Sequence, residues 1–527
     1  MRLAHQPGHA DLSPATRGLA WTAAGSLVVS VGLMTVVGLS GPSVTVPKLA
    51  SAAPWPPYFT TGHPSHVAVT VLDWLAVGLG GLGLAAALLA ARRGWRPSPQ
   101  RLMIGCLLAV IALMLVPPLG STDMLDYAIY GRIAALGHSP YVMTPAQLTA
   151  AGDPVGRFSP PAWQDMHSVY GPLGTFSERA ASLLAGPSTA RTVFWLKVEN
   201  ALAFLAVALA LDLLFRSDQA ARTRAHLLWS VNPLMLWAIL GGGHIDGLAA
   251  AAGVLGLLCL RRLGAARGLA AGLLIGAAIA IKAPFVFFLL GPAWAARRSP
   301  RTLAAVALGA VAVVVPCYLL AGRAAVTGVV SRASGVPVPY QPWQLLTRAL
   351  ALHHTTNFSN AVALCAFAVL APVLLWRLPS GSANPSGSAS PVGSASPAGR
   401  PFVRPVLAVS LAWLICTPQQ RPWYDAMIFP LLALMPATRL DWIVVVRAVA
   451  TAAGELPGVA FYRGLHPPWL GSAVYITTRG VVPITLVAVA AALVWLCVTG
   501  RWVPGGRAGQ AGGGRPLPDL AESGSLG

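Results

Sequence analysis

The densest run of reactive side chains is Ser121-Thr122-Asp123-Met124-Leu125-Asp126-Tyr127-Ala128-Ile129-Tyr130-Gly131-Arg132, just after an apolar stretch that ends in Pro117-Pro118. Two carboxylates therefore meet water where an apolar run stops. On a helix, Asp123, Asp126, Tyr127 and Tyr130 recur at three- and four-residue intervals and share one face, while Ile129, Ile133 and Leu136 line a neighbouring one. The expectation is an interfacial amphipathic helix presenting acids. A carboxylate so placed can serve as a general base, taking the proton of a hydroxyl as its oxygen attacks an electrophile. Asp123 is the candidate base and Asp126 the partner that orients it. The plainer alternative has Asp123 capping the helix and Asp126 paired with Arg132 or in solvent.

Other polar groups fall at the ends of apolar runs: His167 and Tyr170-Gly171-Pro172, His244-Ile245-Asp246 after three glycines, Lys282, Arg332 upstream of Val336–Trp343, and Gln419-Gln420-Arg421-Pro422-Trp423-Tyr424-Asp425. Lys282 has no acid near it in sequence, and an isolated lysine inside an apolar stretch points to function. His244 and Asp246 read equally as helix caps or as site residues. Gln419, Gln420 and Arg421 divide between contacts to sugar hydroxyls and plain solvation. Trp343 and Trp423 read as belt residues at a membrane interface. There is no Walker motif and no GxGxxG fingerprint opening a βαβ unit, so no nucleotide site is indicated. The six cysteines show no CxxC or Cys/His spacing, which indicates neither zinc nor a disulfide framework. No metal and no cofactor is expected. Cations such as Lys282, Arg421 and Arg332 would suit a lipid-borne phosphate at the outer surface while a carboxylate activates an acceptor, an arrangement that fits glycosyl transfer.

The elements that must position these groups follow from composition. Of 527 residues, 55% are hydrophobic and 10% charged, and the mean hydropathy is +0.66. At about 20 apolar residues per crossing, that supports an all-α, polytopic transmembrane bundle of about fourteen helices. Soluble enzymes, disordered chains and secreted disulfide scaffolds are excluded. Apolar runs lie near 19–39, 67–91, 102–116, 193–215, 225–240, 245–260, 303–320, 361–376, 401–416, 423–435, 442–459 and 481–498. Between Arg267 and Arg297 one long run is better read as a hairpin broken at Lys282-Ala283-Pro284, because a single crossing would strand one arginine cluster outside. Both termini are then cytoplasmic, and most of the 36 lysines and arginines fall on cytoplasmic loops. The net charge of +20 thus reflects orientation in a plasma membrane, with no nucleic-acid partner expected. The long loop 117–192 faces the extracytoplasmic side, where most acids collect. Residues 1–377 form an N-terminal block, 378–400 a flexible Ser/Gly/Pro linker, 401–500 a C-terminal block, and 501–527 a disordered tail.

At these residues the chain resembles the GT-C superfamily of integral membrane glycosyltransferases, in particular the actinobacterial polyprenol-phosphomannose-dependent α-1,6-mannosyltransferases. The likeness runs from about Ile104 to Pro436. It rests on Ser121-Thr122-Asp123 through Tyr127, Gly131-Arg132, Gly137 and Pro140-Tyr141, then Tyr170-Gly171-Pro172, Asn232-Pro233, His244-Ile245-Asp246, Gly276 with Lys282, and Pro422-Trp423-Tyr424. The resemblance implies inverting transfer of mannose from a polyprenyl phosphate to a glycan or glycolipid, with Asp123 matching the family's loop aspartate and no general need for a metal. Asp123 and Asp126 are then the catalytic candidates. Tyr127, Arg132, Tyr170, His244, Asp246, Lys282, Arg332, Gln420, Arg421 and Tyr424 are the donor- and acceptor-binding ones. The rival reading is a secondary transporter or lipid flippase, for which Glu199 and Asp212 within one span are the best support. A second rival is a scaffold that only holds a glycan-synthesis complex.

Overall fold

The computed structural model describes residues 12–49, 55–58, 61–331, 338–352, 355–379, 401–458 and 465–503. Every regular element among them is helical. Several begin on capping side chains. Ser13, Ser65 and Ser188 accept the backbone N–H of Thr16, Ala68 and Arg191, the first with Pro14 in the opening turn.

Six helices are long and apolar enough to cross a bilayer: Pro14–Leu39, His66–Arg92, Thr189–Leu214, Pro300–Ala321, Thr355–Arg377 and Pro468–Thr499. The shortest has 22 residues, about 33 Å at 1.5 Å per residue, against a hydrocarbon core about 30 Å thick. Pro300–Ala321 turns Leu308, Val311, Leu319 and Leu320 outward, the last 90% exposed. A surface of that kind belongs in lipid. The chain is therefore an all-α membrane protein.

The expected count of about fourteen crossings is not recovered. Gln219–Gly241 and Asp246–Cys259 are bent 120° apart and add a seventh span if taken as one. Pro99–Met114, Ala265–Ile281, Ala283–Ala295 and Val403–Cys416 are apolar but only 10–17 residues long. The run 423–435 is no crossing at all: a 3₁₀ turn, Pro422–Met427, leads into the short helix Phe429–Ala433. Pro422 and Pro430 lack the amide hydrogens a continuous helix would use. Apolar composition counted residues that glycine and proline then divide into shorter, mutually buried pieces.

The break near Lys282 lies where the sequence puts it. Ala265–Ile281 ends, Lys282 is extended, and a 3₁₀ segment Ala283–Leu289 follows. Gly268, Gly272 and Gly276 recur every fourth residue on this helix and press on Pro300–Ala321. A Cβ at Gly272 would sit 2.1 Å from the Val306 carbonyl oxygen, so only glycine permits the approach.

The long loop contains three helices, Asp123–Ala135, Pro145–Ala150 and Pro172–Ala185. The Asp123 helix does not lie on the surface presenting acids, as its pattern suggests: Met124 to Gly131 and Ile133 are all buried. Gly131 makes this possible, since a Cβ there would come within 2.2 Å of the Glu178 carbonyl oxygen on helix Pro172–Ala185. Its neighbours supply a protein environment where the pattern implied water on one side.

The main apolar core joins residues from Ala20 to Trp502, including helices on both sides of the 378–400 stretch. Arg404 donates to the carbonyls of Leu375, Trp376 and Leu378, so the helices on either side of that stretch meet at these residues. The expected linker beyond Pro379, the tail from 504 onward, and Arg332 fall outside the described residues.

Candidate active site

Asp123 opens its helix directly after Thr122, and its N–H donates to Ser121 Oγ at 3.2 Å. Its carboxylate stays accessible, with a side-chain exposure of 17%, and Oδ2 lies 3.5 Å from His244 Nδ1. The turn Gly241-Gly242-Gly243 delivers the histidine. Gly243 has φ +73°, and a Cβ there would strike Met124 Cε at 1.7 Å. Glycine is thus demanded twice, by backbone conformation and by the approach of the Asp123 helix. The His244 ring stacks on Trp423, with centroids 3.4 Å apart and planes at 12°. Trp423 is 2% exposed, which corrects its reading as a lipid-belt residue. What it does instead is hold an imidazole in place.

Two cations complete the rim. Lys282 Nζ lies 2.6 Å from Asp246 Oδ2 and 4.4 Å from the centre of the Tyr424 ring. Arg421 donates to both oxygens of Glu455 at 2.7 and 2.9 Å and sits 5.5 Å over the Trp423 ring. Glu455 in turn accepts the Tyr340 hydroxyl at 2.5 Å. Tyr424 O–H donates to Gln419 Oε1 at 3.4 Å. Tyr127, next along the Asp123 helix, meets Tyr170 edge to face at 4.8 Å. Asp123, Tyr127, Tyr170, His244, Asp246, Lys282, Arg421 and Tyr424 therefore form one cluster from segments far apart in sequence.

The electrostatics differ sharply between the two aspartates. Burial raises the Asp123 carboxyl, but the approach of His244 and the charges of Arg421 and Lys282 outweigh it and hold the group below its ordinary value. Asp126 has no such cations. Burial, with Asp123 and Glu178 close by, pushes it well above the usual carboxylate range. The same surroundings push one carboxyl toward its ionised form and its neighbour toward the protonated one, the pattern by which paired carboxyls acquire different roles. Burial lowers Lys282, yet Asp246 more than restores it and leaves the ammonium charged.

Some sequence candidates lie elsewhere. Arg132 is committed to Asp153 at 2.8 Å, so it pairs neither with Asp126 nor with the cluster. Gln420 is 1% exposed and donates inward to the Ile415 carbonyl at 2.9 Å. Asp126 is 2% exposed, behind Asp123, and its Oδ1 has no hydrogen-bond partner. Among the transporter candidates, Asp212 is fixed by Arg222 at 2.6 and 2.7 Å and His226 at 2.8 Å, and Glu199 takes a hydrogen bond from Ser177. Sequence reasoning missed Glu455 as the partner of Arg421, Tyr340 as the partner of Glu455, and Glu178 as the neighbour of Asp126. Among the described residues, no three His, Cys, Asp or Glu side chains are grouped to hold a metal.

Chemically the cluster offers an accessible ionised carboxylate, a histidine fixed beside it, and two guanidinium or ammonium groups within its field. Such a set can accept a proton on one side of a reacting carbon and neutralise a departing anion on the other.

A family model described as "Alpha-(1->6)-mannopyranosyltransferase, N-terminal domain" matches residues 19–298. The chain is 25% identical over 139 residues to alpha-(1->6)-mannopyranosyltransferase B of Corynebacterium glutamicum, covering 26% of this chain and 23% of that protein. It is 29% identical over 155 residues to a probable alpha-(1->6)-mannopyranosyltransferase of Mycolicibacterium smegmatis, covering 29% and 27%. A Mycobacterium tuberculosis protein named as an alpha-(1->6)-mannopyranosyltransferase is 25% identical over 139 residues, covering 26% and 24%. The matches span about a quarter of the length of these curated relatives. No solved structure matches.

Proposed function

Because the chain belongs to the alpha-(1->6)-mannopyranosyltransferase family, we propose that it is a membrane hexosyltransferase. It moves mannose from a polyprenyl-phosphate donor to a glycan or glycolipid acceptor on the extracytoplasmic side, with inversion. The observation that carries this reading is the convergence of Asp123, His244, Lys282 and Arg421 from four separate segments.

In the reaction, the ionised Asp123 carboxylate removes the proton of an acceptor hydroxyl as that oxygen attacks the anomeric carbon. A new C–O bond forms on one face while the bond to the phosphate oxygen breaks on the other. The leaving group departs as polyprenyl phosphate, its growing negative charge met by Lys282 and Arg421. His244, clamped on Trp423, fixes the carboxylate and lowers its proton affinity. Asp126, one turn along the same helix and buried, supports and orients Asp123. Tyr127, Tyr170, Asp246 and Tyr424 shape the walls around the transferred sugar.

The test is radiolabel transfer from polyprenyl-phosphate-linked mannose to a short mannan by purified protein in liposomes. Asp123→Asn should lose about 10²- to 10⁴-fold in rate, as expected for removing a general base. Full activity in that variant would overturn the assignment of the base. No transfer by folded wild type, across several lipid-linked sugars, would overturn the reading as a whole.

A further inference from the structure

A cavity of about 530 Å³ opens among Val338, Gln341, Gln344, Thr347, Arg348, Thr356 and Arg479, none of them in the Asp123 cluster. It lies beyond the region matched by the family model, 19–298. It is tied to the Asp123 cluster through the chain itself, since Tyr340, one residue before Gln341, donates to the Glu455 that holds Arg421. Its size falls in the range of about 300–1,000 Å³ usual for small-ligand sites.

The lining states what kind of ligand it lacks. Gln341 is 3% exposed; its Nε2 is used on Ser359 Oγ at 3.2 Å, but its Oε1 is buried with no hydrogen-bond partner. Gln344 Oε1 is likewise buried and unpartnered. Two amide oxygens can only accept, so the missing ligand must bring donors. An anion would add lone pairs against lone pairs. Threonine hydroxyls at 347 and 356, which both donate and accept, extend the same surface. At the rim, Arg348 donates to the Arg479 carbonyl at 2.9 Å, and both guanidinium centres lie 5.9 Å from the Tyr475 ring, which is 59% exposed. An exposed aromatic ring beside these arginines is a surface on which a sugar ring can rest.

We infer that this cavity is a binding subsite for a neutral oligosaccharide, engaging its hydroxyls through Gln341 and Gln344. Resting on the function proposed above, it holds the acceptor glycan distal to the hydroxyl presented to Asp123. Acceptor chains long enough to reach both places bind more tightly than a single sugar.

The test separates binding from transfer. Direct binding of an α-1,6-linked mannotetraose to wild type, Gln344→Leu, Gln341→Leu and Gly78→Ala is measured in detergent by thermophoresis, with thermal unfolding as the check on folding. The Gln344 variant should bind about 5- to 10-fold more weakly, as expected for one lost hydrogen bond, while Gly78→Ala, whose added Cβ meets nothing within 4 Å, binds like wild type. Gln341→Leu serves as the second variant if Gln344→Leu fails to fold. Absence of binding by wild type, equal binding by folded Gln344→Leu, or displacement of the glycan by inorganic phosphate would each overturn the subsite. Cavity-dependent binding without any transfer by wild type would leave the subsite standing and overturn only the transfer reaction.

Discussion

His244 governs how readily Asp123 gives up its proton, because it approaches the carboxylate to 3.5 Å and is itself pinned by Trp423. In its proposed role as base Asp123 must be ionised, so activity should fall on the acid side as it protonates. With its carboxyl held low by His244, Arg421 and Lys282, that acid limb lies at low pH. In His244→Ala the limb of kcat/KM should move to higher pH, since burial then acts with less opposition. A pH–rate profile unchanged in shape would separate His244 from the titration of the base. Asp126 and Glu178 predict the opposite kind of effect, on stability. Both carboxyls are raised by burial and by the acids beside them. A raised carboxyl costs the folded state as pH climbs from the unfolded value, about 4, toward the folded one. Asp126→Asn and Glu178→Gln should therefore unfold at the same or higher temperature than wild type at pH 7, with the advantage growing between pH 5 and the folded pKa. A lower midpoint at every pH would show that these acids are ionised and paired. Asp126→Asn should also lose less transfer activity than Asp123→Asn.

Helices place these residues, and glycines decide how closely. Helix Ala265–Ile281, which ends against Lys282, rests on Pro300–Ala321 through Gly268, Gly272 and Gly276. Gly272→Ala puts a methyl 2.1 Å from the Val306 carbonyl oxygen, so the helices must part. Overpacking of that kind costs about 1–3 kcal/mol, and a shift of about 1 Å in a site residue can cost about 10²-fold in rate. The variant should lower both the unfolding temperature and kcat/KM. Gly78→Ala, with nothing within 4 Å of its new Cβ, should be neutral or slightly stabilising. Equal behaviour of the two would dismiss the close approach. The break at Lys282, the helix carrying Asp123 and the order of the site segments were visible in the sequence. The pairing of Lys282 with Asp246, and of Arg421 with Glu455, was not, because residues 36 and 34 positions apart on separate helices meet only through packing. Trp423 was misread for a similar reason: composition places a tryptophan near an interface, whereas only the fold shows that His244 covers it. The burial of the Asp123 helix was hidden too, since its outer face meets protein supplied by helix Pro172–Ala185.

At the scale of the molecule, two of the charge clusters among the described residues play different parts. Around the Asp123 cluster each cation faces an acid that leaves it room to take part in chemistry. In the other, Asp441, 1% exposed, receives Arg224 at 2.6 Å and Arg92 at 3.4 Å. Arg224 also donates to the carbonyls of Leu432 and Met435, and Arg92 lies 5.1 Å over the Trp442 ring. These contacts join helix His66–Arg92, the segment Gln219–Leu228 and helix Leu440–Glu455, and none of them involves the catalytic carboxylate. Asp441→Ala would leave two guanidinium groups beside a buried gap with no counter-charge. Breaking such a pair from one side costs about 3–5 kcal/mol, because the remaining charge stays desolvated. The expected result is a marked fall in unfolding temperature in detergent with kcat/KM of the folded fraction nearly unchanged. Asp441→Asn, which retains the shape and one acceptor oxygen, should recover part of the loss. A variant that keeps its stability but loses transfer would place this second charge cluster within the catalytic cycle. The two clusters would then be coupled through the long helices between them, instead of one anchoring the other.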